Sequence, residues 1–133
     1  MREDVERWLK FAEMDLRVSR LAFENKIYIY SAYHAQQAVE KYLKAFLISK
    51  DQPYPRTHDI KFLIYKCMEI DESFRQLLDM DVDKLTIYAT GTRYPEYEFE
   101  VTDDMAREAL EKAEKVRVFI LGKLGVREVK DEY

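Results

Sequence analysis

Tyr28-Ile29-Tyr30-Ser31-Ala32-Tyr33-His34-Ala35-Gln36-Gln37-Ala38-Val39-Glu40-Lys41-Tyr42-Leu43-Lys44-Ala45-Phe46-Leu47-Ile48-Ser49 is the stretch that decides the fold. Ala32, Ala35, Val39, Tyr42, Leu43 and Phe46 return at three- or four-residue steps, which places them on one face of a helix more than twenty residues long. Lys50-Asp51-Gln52-Pro53-Tyr54-Pro55 ends it, because each proline removes a backbone donor and pushes its predecessor out of helical geometry.

Upstream, Val5, Trp8, Leu9, Ala12, Leu16 and Phe23 trace a second long amphipathic helix from Arg2 to Phe23, with Ser19 in the same stripe and Asn25 as its stop. Downstream, Thr57 is the expected cap of a third helix, with Asp59 in its first turn and Ile60, Leu63, Ile64 and Cys67 on its apolar face. A short helix is expected over Asp71 to Met80, and Asp81 is expected to cap another that ends before Gly91. Thr102 opens a last helix with Met105, Ala109, Ala113, Val116 and Ile120 inward, and Gly122 and Gly125 punctuate its end.

No segment alternates apolar and polar residues as a half-buried strand does, so the fold class is all-α: consecutive helices on short connections, packed antiparallel as an up-and-down bundle. No repeat or linker divides residues 1–133, and the length suits one domain with a self-supporting core. The lone Cys67 excludes an internal disulfide and a multi-cysteine zinc site, which fits a reducing, cytoplasmic setting. Charges at Arg2, Glu3, Asp4, Glu6, Arg7 and Lys10 argue against a secretion signal, and no window suggests a membrane span. A formal charge of −4 argues against coating nucleic acid by bulk electrostatics. Three Gly and three Pro among abundant Glu and Lys make the loop-poor, charge-rich balance common in heat-adapted proteins.

The chemistry-bearing residues are few. His34 and His58 are the only histidines, and neither follows a Glu at the spacing of a bundle di-iron site; no metal or cofactor is expected. Gly-rich phosphate loops and serine elbows are absent. Thr90-Gly91-Thr92-Arg93-Tyr94-Pro95-Glu96-Tyr97 gathers a guanidinium suited to a forked phosphate or carboxylate contact and two phenol rings suited to stacking. The plainer alternative is a helix connection whose tyrosines pack on the bundle while Arg93 pairs with an acid, and composition by itself favours it. For His58 composition favours an orienting hydrogen bond near a helix start, although Arg56 and the helix N-terminus also suit an anion. His34 is expected to be packed and hydrogen-bonded. Lys41, Lys44 and Arg56 form a candidate basic patch. Ten tyrosines, more than a small core needs, suggest a homodimer interface.

Taken together, Ala35-Gln36-Gln37-Ala38-Val39-Glu40-Lys41-Tyr42-Leu43-Lys44-Ala45, Thr57-His58-Asp59-Ile60 and Arg93-Tyr94-Pro95, in that order, resemble the HEPN family across nearly the whole chain. The resemblance implies a bundle of about five helices, two long ones antiparallel, commonly dimeric, and often encoded beside a minimal nucleotidyltransferase in a toxin–antitoxin-like pair. Ribonuclease members carry an Arg followed four to six residues later by His. That motif is missing here, since Arg93 is followed by Tyr94-Pro95-Glu96-Tyr97-Glu98-Phe99-Glu100. The resemblance therefore points away from an enzyme and towards a module that binds a nucleotide or a partner, with Arg93 on phosphate, Tyr94 or Tyr97 stacking, and His58 with Asp59 shaping the adjoining loop. Two other expectations stand beside it: an RNA-cleaving toxin with a rearranged Arg93/His58 site, and a partner that masks the nucleotidyltransferase or is itself nucleotidylated on a tyrosine.

Overall fold

The computed structural model describes residues 1–92, 95–97, 99–127 and 129, and every described element is helical. Three helices of 22 residues form the frame: α1 (Glu3–Glu24), α2 (Tyr28–Ser49) and α6 (Asp103–Leu124). Between α2 and α6 lie the shorter α3 (Ile60–Met68), α4 (Arg75–Asp79) and α5 (Ile87–Thr90), joined by tight 3-10 turns at Glu72–Phe74, Val82–Thr86 and Pro95–Tyr97.

The α1–α2 pair is antiparallel, as its cross-contacts show. Ser19 meets Ser31, Asp15 meets His34, and Arg2 donates to the Ile48 carbonyl, so numbers fall on one helix as they rise on the other. Ser19 Oγ donates to the Ser31 carbonyl at 2.7 Å and Ser31 Oγ returns a bond to the Ser19 carbonyl at 2.9 Å. Both serines are fully buried. Each hydroxyl satisfies itself on the other backbone, which explains how a serine can occupy an apolar stripe.

Helix α6 also runs antiparallel to α1, through Arg107 over the Phe23 ring, Arg20 to Glu114 and Arg117 to Glu13. It therefore runs parallel to α2. The two long antiparallel helices expected are α1 and α2, and the segment α3 to α5 carries the chain back along the bundle so that α6 adds a third full-length element. α2 sits centrally, burying Ala32, Ala35, Val39, Tyr42, Leu43 and Phe46, the face read from its periodicity. Phe46, Phe74 and Phe119 stack in sequence at 4.4 and 5.0 Å between centroids, joining α2 and α6 through the residue that precedes α4.

Local capping differs from expectation in three places. Asp59, not Thr57, is the N-cap of α3, its carboxylate accepting from Phe62 N at 3.4 Å, while Thr57 Oγ1 accepts from Asp59 N one step earlier. Asp81 makes no side-chain cap; it turns the chain with φ +58°, a conformation Asp tolerates better than most residues. Gly122 lies inside α6, and Gly125 ends that helix at φ +69°, where a side chain would strain the backbone. Thr102 opens α6 as expected, accepting from Met105 N at 3.2 Å, and Asp71 caps the turn before α4 by accepting from Ser73 N at 3.0 Å.

Asp71 also fastens the end of α6. Lys123 Nζ lies 2.8 Å from its carboxylate, and Ser73 donates to it from hydroxyl and backbone. The Lys123 bond, helped by Ser73, pulls the Asp71 carboxyl down to about 2. A carboxyl depressed by folding stabilises above its unfolded pKa and loses that contribution as pH falls through its folded one. Asp71→Asn is therefore expected to lower Tm at neutral pH, with the gap from the parent narrowing between about pH 4 and pH 2 in thermal melts.

Candidate functional site

The chemistry converges on the middle of α2. Gln36, Glu40 and Lys44 are four residues apart and so share one face of the helix, turned towards the chain that enters α3. Glu40 is only 3% exposed. Its carboxylate accepts from Gln36 Nε2, from Gln37 Nε2 at 3.4 Å and from Lys44 Nζ at 3.4 Å. Gln37 Nε2 also bonds Gln36 Oε1 at 2.6 Å, which orients the first amide. From across the loop, His58 Nδ1 reaches Glu40 Oε2 at 2.9 Å and Oε1 at 3.2 Å.

A charge so well buried is stable only when donors surround it, and four side chains supply them here. A carboxylate offers acceptors alone, so Nδ1 is the nitrogen that carries the proton in this contact. The imidazole is thus held by one edge. Its side chain is 52% exposed, so much of the ring beyond that contact stays open to solvent. A histidine gripped through Nδ1 by a buried carboxylate is arranged for binding an anion or for moving a proton at Nε2. The backbone reinforces the position: Asp59 caps α3 immediately after His58, and Ile60 N donates to Thr86 Oγ1 at 3.0 Å, anchoring the start of α3 to the turn before α5.

A second carboxylate–histidine contact lies on the α1 side of α2. Asp15 receives His34 Nδ1 at 2.9 Å and Lys41 Nζ at 2.5 Å. The Tyr33 ring stands edge-on to His34 at 5.1 Å. His34 is thus packed and hydrogen-bonded as expected. The cations of the expected basic patch part company: Lys41 serves Asp15, Lys44 serves Glu40, and only Arg56 of the three is an exposed residue. Asp59 is exposed and committed to its cap. Arg93, Tyr94 and the Tyr97 side chain lie outside the described residues. On either side of them, Thr92 Oγ1 donates to the Tyr88 carbonyl at 2.7 Å and the Phe99 ring meets Tyr88 at 5.9 Å. Among the described residues no group of three or more His, Cys, Asp and Glu is placed to hold a metal ion.

Glu40, Gln36 and Gln37 were not singled out as site residues by composition. The legible signal was their spacing, a polar Gln-x3-Glu-x3-Lys line along a helix whose neighbouring positions are apolar. Removing the carboxylate should show which partner depends on it. Glu40→Ala leaves a buried amide and a nearly buried ammonium without their acceptor and is expected to cost ~3–5 kcal/mol. His58→Ala removes a half-exposed donor and is expected to cost no more than ~1 kcal/mol. Urea denaturation of the two variants measures the difference.

The HEPN domain model matches residues 5–124. A protein of Methanocaldococcus jannaschii named "Putative toxin MJ1304" is 32% identical over 141 aligned residues, covering 92% of this chain and 91% of the relative. No solved structure matches significantly. Among the described residues no helix is long and apolar enough to cross a membrane. A family match over most of the chain, and a relative aligned nearly end to end, place this all-helical protein in the HEPN domain family.

Proposed function

We propose that the chain is the HEPN member of a toxin–antitoxin-like pair, and that it binds a nucleotide or a minimal nucleotidyltransferase on the surface around His58. The carrying observation is the His58 imidazole, fixed through Nδ1 by buried Glu40 in a side chain that is half exposed. Membership of the HEPN family and the toxin name borne by the relative support the wider role. In this proposal Nε2 of His58 and the guanidinium of Arg56 meet phosphate beside the start of α3, where backbone donors favour an anion. Arg93 adds a second guanidinium and Tyr94 or Tyr97 a stacking face. The protein works as a homodimer in the cytoplasm.

Calorimetry with ATP and GTP tests the nucleotide form. Loss of one charge-assisted bond corresponds to about a tenfold loss of affinity, the effect expected for His58→Ala and for Arg93→Ala. No heat with the parent protein, or heat unchanged by both substitutions, removes it. Co-elution with a nucleotidyltransferase encoded beside the gene tests the partner form.

The Glu40–His58 contact also favours a second proposal, an RNA-cleaving toxin in which His58 moves the proton and Arg93 steadies the phosphate. General acid–base groups typically contribute at least a hundredfold to rate, so His58→Ala should lower cleavage of structured RNA by that much. An inert parent protein would eliminate this proposal.

A further inference from the structure

A cavity of about 210 Å³ lies between the proline loop and the outer side of α3. Its walls are apolar: Leu47, Pro53, Tyr54, Pro55, Phe62 and Ile70. Tyr54, Phe62 and Ile70 are 36%, 42% and 39% exposed, unusually open for residues of that size facing one recess. Its polar lining comes from Gln52, Lys66 and Glu69. Gln52 carries an amide that both donates and accepts, and Lys66 lies 3.8 Å from Glu69, a donor and an acceptor side by side. The volume falls below the ~300–1,000 Å³ of sites that enclose a whole drug-sized ligand, so it suits one ring system. Flat hydrophobic walls with a mixed donor–acceptor edge are complementary to a planar heterocycle.

The cavity adjoins the Glu40–His58 pair. Lys44, which donates to Glu40, stands 6.0 Å from the centre of the Tyr54 ring. Pro55 lines the cavity and His58 follows three residues later, within ~10 Å along the chain. Lys66 lines the cavity, and the exposed Arg56 lies in the chain between Pro55, which also lines it, and His58, so cations are available for a phosphate chain that leaves the cavity towards His58.

We infer that this cavity is the base pocket of a nucleotide site: the heterocycle enters between Tyr54 and Phe62, Gln52 and the Lys66–Glu69 pair contact its edge, and the phosphates run towards Arg56 and His58. The inference rests on the nucleotide-binding proposal above and adds to it where the base is held.

Trp8, the single tryptophan, meets Tyr54 edge-on at 4.9 Å and reports on the pocket by fluorescence. Adenosine, guanosine, cytidine, uridine and inorganic tripolyphosphate are titrated by calorimetry and Trp8 emission into the full chain, Phe62→Ala and His58→Ala. At least one nucleoside is expected to bind and alter Trp8 emission. Phe62→Ala should weaken it about tenfold, the usual order for loss of a stacking face, and leave tripolyphosphate unchanged. His58→Ala should do the reverse. If Phe62→Ala fails to fold by circular dichroism, Ile70→Glu replaces it, placing a charge on an exposed wall.

Tripolyphosphate binding without any nucleoside overturns the base pocket and leaves the phosphate site standing. Silence from every probe overturns both. Nucleoside binding indifferent to Phe62→Ala and Ile70→Glu also overturns the pocket. So does loss of nucleotidyltransferase co-elution in those variants when no nucleoside binds, an outcome that would assign the cavity to a partner's side chain.

Discussion

A carboxylate in the middle of a helix, almost sealed from water, organises this molecule. Isolated, Glu40 would be strongly destabilising, since burial of an unpaired charge costs several kcal/mol. The surroundings convert that cost into a positional constraint. Gln36, Gln37 and Lys44 satisfy the oxygens from α2 itself, and His58 satisfies them from the chain entering α3. The entry to α3 is thereby tied to α2 at one point, and the imidazole is given one orientation.

The rest of the bundle makes that point rigid. α2 is packed by α1 along one flank, with Ser19 and Ser31 exchanging bonds where the backbones come close, and is joined to α6 through the Phe46–Phe74–Phe119 contacts. Tyr42 extends the arrangement into a polar seam, its hydroxyl donating to Glu13 at 3.0 Å while Arg117 grips the same carboxylate. Burial, with Glu13 close by, raises the Tyr42 phenol well above its ordinary value, so it remains a donor. The turn before α5 is pinned to the start of α3 by Thr86, whose hydroxyl accepts from Ile60 N.

The long helices were legible because each needs only its own periodicity. Tyr28–Ser49 begins and ends where the apolar spacing and the prolines put it. Caps were less legible. Thr57 and Asp59 are both competent, and the choice between them depends on where the chain leaves the proline loop, which no local pattern records. Asp81 looks like a cap but serves as a left-handed turn, because the backbone must reverse there. The parallel course of α6 relative to α2 is a tertiary outcome, set by how α3 to α5 return the chain. Within the site, the resemblance drew attention to His58, but Glu40 depends on a partner eighteen positions away. Its signal was visible only as a polar line on an apolar helix. Lys41 and Lys44 meet different carboxylates, Asp15 and Glu40, a division that their spacing in the sequence does not record.

No histidine follows Arg93 in this sequence, whose two histidines are His34 and His58. The structure offers a way to hold an imidazole in readiness, by a buried glutamate of α2. Two-bond proton–nitrogen correlation spectra of the His58 ring test this most directly, with His58→Ala supplying the assignment. Nδ1 of that ring is expected to carry a proton, the one it donates to Glu40. A neutral ring protonated on Nε2, with Nδ1 bare, would contradict it, because Glu40 could then hold no proton of that ring.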